Sequence, residues 1–397
     1  MPTTKGELKM YLNHLKAFAI GALVTAHAGT AAMAQEMAKL PDQVSIVAYD
    51  VGNSGYNMTM AMTGAFKENL GTNLRVLPGK NDVARVSLLK NGTASFAALG
   101  SDAVYTQEGL YVFGQAKFGP QQVRLVAMNI NRGSSAMITA REANIQTMAD
   151  IRGKKVALVK GSAVSKNFTA AYLAFGGLTW DDVQAVEVAS FGDMGTAILD
   201  GRVDAVLSNT NSSVGTQLEG SPRGARYMSV PHADTEGWAR MTAILPWIYR
   251  HVATTGPTIP ESGVEMGTTP YPMLVSLVDT DEELVYNMTK AIFEMYPEYK
   301  DTVSGAEGWS IDSQKIEETF VPYHEGAVKY FKEVGIWTDA AEAHHKTMVE
   351  RQEMLAKAWA EYTANAPSDE AEFSAGWQEK RAGVLEAANL PLIERNW

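Results

Sequence analysis

The sequence predicts an α/β protein: two α/β lobes with a hinged interdomain cleft, followed by a C-terminal helical extension. Three observations carry this expectation. Apolar strands alternate with amphipathic helices from Val44 onward, the pattern of a parallel sheet covered on both faces. The same pattern starts again at Lys155. Two strand-like stretches, 135–140 and 266–278, lie where the chain would leave the first lobe and return to it, the second carrying Pro270 and Pro272 on either side of Tyr271.

Ahead of the first strand, Lys5, Lys9 and Lys16 precede an apolar stretch at 17–24 and a small-residue run ending Ala32-Met33-Ala34. A basic start, a short apolar middle and an A-x-A end predict a secretory signal peptide over 1–34, cleaved after Ala34, and hence a periplasmic protein. The competing reading is an uncleaved anchor, but Thr25, His27 and Thr30 interrupt the stretch, and a spanning helix needs ~20 predominantly apolar residues. The formal charge is −11, and losing residues 1–34 removes three lysines and one acid, Glu7, so the exported chain is more acidic still. That balance disfavours nucleic acid and anionic membranes as partners, both of which want basic surface.

The first strand, 44–48, leads through Gly52-Asn53-Ser54-Gly55-Tyr56 into a helix with Met58, Met62 and Phe66 on one face and Gly71 as its stop. A second strand, 74–77, passes through Pro78-Gly79-Lys80 into a helix from Asn81 whose apolar stripe is Val83, Val86 and Leu89 and whose end is Gly92. A third strand, 96–99, is apolar on both faces and ends in Ser101-Asp102. In the second lobe, strand 155–159 is followed by the loop 160–165, containing Gly161, Ser162 and Ser165, and by a helix to Phe175. Gly201 then precedes a buried strand ending in Ser208-Asn209, matching Gly92 and Ser101-Asp102 in the first lobe.

Ligands of open parallel sheets bind beyond the carboxyl ends of the strands, where loops that open helices present free N–H groups. Two such sheets facing each other make a cleft; two similar lobes with nothing between them would fit the same pattern. Lobe 1 is expected over 43–135 and 272–337, lobe 2 over 136–271, and the extension over 338–397. Within these, 279–295 and 313–335 read as helical, and 339–364 with 369–388 as a helical hairpin broken at Asn365-Ala366-Pro367-Ser368. Trp337, Trp359, Trp377 and Trp397 read as packing anchors. Trp238, Trp247 and Tyr249 lie in an aromatic stretch that either packs on a helix or covers the ligand; in the second case the ligand carries an apolar or aromatic part.

No enzyme chemistry is signalled. The chain has no cysteine, which excludes disulfides, thiolate metal sites and a cysteine nucleophile. The histidines have no zinc-ligand spacing, there is no G-x-S-x-G elbow or Walker loop, and the glycines at 52–55 do not fit a dinucleotide fingerprint. No metal and no cofactor is expected.

The order and spacing of Gly52 to Tyr56, Gly79 to Asn81, Gly92 with the Phe96 strand and Ser101-Asp102, Gly161-Ser162, Gly201 with Asp204-Ala205, and Tyr323-His324-Glu325-Gly326-Ala327 resemble the TAXI family. These are the solute-binding, extracytoplasmic receptor subunits of one class of TRAP transporters. The resemblance runs from about residue 43 to 337 and departs from the family pattern in a less glycine-rich 161–165 loop, in Glu325 after His324, and in the long C-terminal extension. It implies a type II periplasmic-binding-protein fold, closure around a small organic anion, a carboxylate or an amino-acid-like solute, and delivery to a TRAP-type integral membrane permease subunit without ATP. Carried over by position, Asn53, Ser54, Tyr56, Asn81 and Ser101 would line the cleft from lobe 1, and Ser162, Ser165, Ser208 and Asn209 from lobe 2. Hydroxyls, amides and helix-start N–H groups suit a carboxylate without an arginine; Asn81 and Ser101 could equally be helix caps, and Tyr56 core. The alternatives are a receptor of an ATP-driven importer and a secreted enzyme.

Overall fold

The computed structural model describes residues 37–395 and Trp397; the expected signal segment, 1–34, lies outside the described residues. The chain begins with β1 (Gln43–Ala48), α1 (Ser54–Met60), α2 (Met62–Leu70), β2 (Asn73–Pro78), α3 (Asp82–Lys90), β3 (Phe96–Leu99), α4 (Asp102–Glu108) and β4 (Val123–Met128). It crosses into β5 (Ser135–Ala140), β6 (Lys155–Val159), α5 (Ala163–Phe175), β7 (Gln184–Val188), α6 (Phe191–Leu199), β8 (Ala205–Asn209), α7 (Ser213–Glu219), β9 (Ala225–Tyr227) and α8 (Thr235–Ile244). The antiparallel pair β10 (Tyr249–Ala253) and β11 (Val264–Thr268) follows. The chain returns through β12 (Met273–Leu277) to α9 (Glu282–Glu294), α10 (Tyr296–Tyr299) and α11 (Glu325–Glu333), and ends in α12 (Asp339–Thr363) and α13 (Glu370–Ala387).

The first sheet has the order β2-β1-β3-β12-β4 and the second β7-β6-β8-β5-β9. In the first, β1 runs parallel to β2 and β3 while β12 runs antiparallel to its neighbours. In the second, β6 runs parallel to β7 and β8 while β5 is antiparallel. Each lobe therefore accepts, as its one reversed inner strand, the strand that arrives from the other lobe. This is the type II periplasmic-binding-protein arrangement, with two crossings between lobes. Strands β3, β4 and β5 are buried along their whole length, as continuous apolar runs require when both faces are covered.

The expected apolar face of the first helix is buried at Met58, Met62 and Phe66, although the helix is split at Ala61 into α1 and α2. The helix expected over 313–335 is confined to α11. Pro322 forbids helix continuation, and the backbone before α11 instead pairs with β4, Leu125 N donating to Pro322 O at 2.8 Å and His324 N to Leu125 O at 2.8 Å.

α11 packs closely on α9 because residue 326 is glycine. A Cβ there would come closer to the Glu282 carbonyl oxygen than van der Waals contact allows and would lie 2.6 Å from the Tyr286 nitrogen. Both are backbone atoms, so the helices would have to separate. Gly326→Ala is expected to cost about 1–3 kcal/mol in urea denaturation, the usual cost of overpacking; an unchanged midpoint would show that the helices part freely.

The extension packs on lobe 1 at the end of α4. Glu108, at 0% side-chain exposure, accepts from Arg351 Nε (2.6 Å) and Nη2 (2.9 Å) and from Arg381 Nη2 (2.6 Å). Burial alone would raise the Glu108 carboxyl, but the two guanidinium groups outweigh it and hold it below its ordinary value. Beside this triad, Gln352 donates to Gln107 Oε1 and to Val123 O, and the Trp377 indole to Gly109 O at 2.8 Å. Trp359 and Trp377 meet edge to face at 4.8 Å, and Trp337 stacks on Phe331.

Candidate functional site

A cavity of about 260 Å³ lies between the lobes, at the carboxyl ends of β1, β3 and β8. Lobe 1 contributes Tyr49, Asp50, Asn53 and Ser101; lobe 2 contributes Ser208, Asn209, Ser212, Ser213 and Gln217; the crossings add Ser135, Thr269 and Tyr271. Apart from Thr196, the remainder of the lobe 2 wall is apolar, with Phe168, Phe191, Met194, Leu199 and Val214 from α5, α6 and α7. Among the described lining residues Asp50 is the one charged side chain.

Four of the nine residues expected to face the ligand line this cavity: Asn53, Ser101, Ser208 and Asn209. Asn53 caps α1 by accepting from Gly55 N and also accepts from the Tyr271 hydroxyl at 2.7 Å. The other five stand elsewhere. Ser54 is buried in the first turn of α1, and Tyr56 is half-buried on the same helix. Asn81 caps α3 by accepting from Ala84 N at 2.9 Å. Ser165 accepts from Val159 N at 3.0 Å, and Ser162 caps α5 by accepting from Ser165 N at 3.0 Å. Lys80 is exposed.

Ser162 nonetheless takes part in the meeting of the lobes. Its hydroxyl donates to Asp82 Oδ2 across the cleft at 2.8 Å, and Val164 N, at the start of α5, donates to the same oxygen at 3.1 Å. Asp82 Oδ1 faces Arg85 Nη2 at 3.2 Å, and Arg85 also donates through Nε and Nη2 to Asp102 Oδ2 at 3.2 and 2.8 Å. The guanidinium lies 3.9 Å above the centre of the Tyr49 ring, a cation–π contact in a desolvated site. Gly100 N donates to Asp102 Oδ1 at 2.5 Å. Two buried carboxylates thus share one buried cation. Burial and Asp102 push the Asp82 carboxyl up, with Arg85 opposing them, to about 6.

A second carboxylate makes the same kind of bridge at α6, where Gly192 N donates to Asp50 Oδ2 at 3.1 Å. Ser213 Oγ adds a bond to Gly52 O at 2.9 Å. The starts of α5 and α6, both facing lobe 1, are therefore occupied by carboxylates of the protein itself, which suit the positive end of a helix.

Trp247 also spans the cleft, its indole N–H donating to Ser101 Oγ at 2.7 Å. Trp238 instead packs on Phe175 and donates to Pro231 O. Among the described residues no group of acids and histidines is placed to hold a metal ion, and no helix is long and apolar enough to cross a membrane.

A family model described as the NMT1-like family matches residues 51–335, which include all strands of the two five-stranded sheets except β1. The chain belongs to the NMT1-like family. Among solved structures it is similar to the periplasmic aliphatic sulphonate binding protein SsuA from Escherichia coli, at 15% identity over 90% of this chain and 92% of that one, with a TM-score of 0.42. It is also similar to the alkanesulfonate-binding protein SsuA from Xanthomonas axonopodis pv. citri bound to MOPS, at 16% identity over 90% and 97%, with a TM-score of 0.44. An ancestral arginine-binding protein bound to arginine matches at 14% identity over 68% of this family member and 99% of that chain, with a TM-score of 0.40.

Sequence reasoning missed the group Asp50, Asp82, Arg85 and Asp102. A signal for part of it was present: Asp82, Arg85, Val86 and Leu89 are spaced i, i+3, i+4, i+7, and all four are buried. An acid and an arginine on the inward stripe of a short helix point to a buried pair, because neither charge is found inside without a partner.

Proposed function

We propose that the protein is the solute-binding receptor of a TRAP-type secondary transporter, of the TAXI kind, exported through residues 1–34 to the periplasm. It captures a small organic anion by cleft closure, passes it to the integral membrane permease subunit, and changes nothing in the ligand chemically. The observation that carries this reading is the cavity between two sheets whose lobes are tied together by Asp82, Asp50 and Gly52. Closure of two lobes over a ligand is the hinge motion of clamshell receptors. The proposed division places lobe 1 at 43–135 and 272–337 and lobe 2 at 136–271. Ser101, Ser208, Asn209 and Thr269 bind the acid group with neutral donors. The Asp50 carboxylate in the same cavity repels a second negative charge, so the ligand is monoanionic or zwitterionic.

The test is a thermal-shift screen of ligand-stripped mature protein against mono- and dicarboxylates, amino acids, aromatic acids and sulfonates, since a ligand bound by the native state alone stabilises it by RT ln(1 + [L]/Kd). A saturable shift from monoanionic acids, larger than from dicarboxylates of equal length, is expected. Ser208→Ala should weaken the ligand found by roughly 5–10-fold, about one hydrogen bond. A broad library without any shift would end the receptor reading. Uptake by vesicles holding the permease, driven by an ion gradient and indifferent to ATP, separates this transporter class from an ATP-driven importer.

A further inference from the structure

A second cavity, of about 210 Å³, adjoins the first. Ser101 and Thr269 line both. Beyond them the second chamber is walled by Trp247, Tyr249 and Phe320, with Met128, Pro270 and Met273 filling between. Trp247 is held by its bond to Ser101 and meets Tyr105 and Phe320 at ring separations of 5.7 Å each. Its indole N–H is thus already satisfied and its apolar body lines the chamber. The Ser101 hydroxyl accepts from Trp247, which leaves its own proton to donate to a group at the junction of the two chambers. At the rim, Lys315 Nζ sits 4.4 Å from the centre of the Tyr249 ring. Phe320 is 38% exposed, an unusual position for a phenylalanine that lines a cavity.

We infer that the second chamber is part of the ligand site and receives an aromatic ring, so that the solute is an aryl-substituted monocarboxylic acid whose acid group sits by Ser101 and Thr269. This rests on the receptor reading above and narrows its ligand. The size argument supports it: drug-sized ligands occupy cavities of ~300–1,000 Å³, which neither chamber reaches alone and both together do. The chemistry agrees, because flat apolar walls of Trp247, Tyr249 and Phe320 favour stacked or edge-on rings. Phe320, less buried than the other two, forms the outer wall that a bound ring would cover.

The experiment is calorimetric titration of the mature protein with phenylacetate and 3-phenylpropionate beside butyrate and hexanoate. The same acids are titrated into Val104→Phe, which fills the second chamber from α4 and leaves the first untouched, and into Phe320→Ala, which removes its outer wall. The aryl acids are expected to bind at least tenfold more tightly than the alkyl acids. That margin should fall at least tenfold in Val104→Phe and several-fold in Phe320→Ala, while alkyl acid affinities stay within about twofold, a difference under 0.5 kcal/mol. Unliganded melting curves establish that each variant folds, and Phe320→Ala carries the test if Val104→Phe does not. Alkyl acids binding as tightly as aryl acids, or an aryl preference unmoved by the folded variants, would overturn the inference and leave the receptor reading standing. Binding of neither class, with a shift from some other acid in the screen, would overturn it as well; no shift from any compound brings down both.

Discussion

Glu108→Gln is expected to destabilise the protein by about 3–5 kcal/mol, the usual consequence of removing one partner from a buried ion pair. Arg351 and Arg381 both end on this carboxylate, with side-chain exposures of 4% and 0%. With glutamine in its place, two guanidinium groups remain buried around a single neutral acceptor, and the amide nitrogen faces a donor. Urea denaturation at pH 7.5 measures the loss. The comparison is Lys380→Ala, which breaks an exposed pair with Glu361 and should cost far less, because solvent screens exposed pairs. Equal effects from the two substitutions would mean that the triad is solvated and that the extension is loosely attached.

Acid should strengthen the folded protein through Asp82, against the usual direction for a carboxylate. The side chain on α3 faces Arg85 on its own helix, Asp102 on α4, Tyr49 after β1, and Ser162 with the Val164 N–H on α5. Its folded value, about 6, lies above the ordinary 3.8. Between these values the folded state keeps a proton that the unfolded chain has released. The resulting stability is complete below about pH 4 and is lost as the pH rises through 6. Two units correspond to about 3 kcal/mol. His251 and His324, whose values burial lowers, tilt the curve the other way as the pH falls below the histidine range, so the total slope is no guide. The difference in unfolding free energy between wild type and Asp82→Asn removes their contribution and should fall by about 3 kcal/mol from pH 4 to pH 7. A difference that is flat across this window would show that Asp82 titrates normally.

The fold was legible because its signals are local or periodic. Strands such as β1 and β3 announce themselves as apolar runs, Gly71 marks a helix end, and the repeated Gly–strand–polar-pair pattern placed Ser101 and Ser208-Asn209 beside one cavity. The site was legible only in part, for a physical reason. Asn81 and Ser162 have the residue types that bind carboxylates, and they do accept helix-start N–H bonds; sequence does not say whether the carboxylate beyond them belongs to a ligand or to Asp82. Asp50 and Gly192 meet across 142 positions of chain, a pairing that no local pattern encodes. The break at 313–323 was missed because pairing with β4 competes with helix formation there, and Pro322 decides the contest.

α4 carries an internal acid at each of its ends, Asp102 toward the cleft and Glu108 toward α12 and α13. The helical extension is for that reason part of the interior chemistry of lobe 1 and not a detachable module. Anyone grafting this protein's lobes onto another scaffold, or trimming the chain to a minimal two-lobed unit, would have to carry α12 and α13 along or rewrite position 108 as an apolar residue. The boundary of the smallest transplantable piece is set by where the last arginine is needed, which lies far beyond the last residue that borders the cavity.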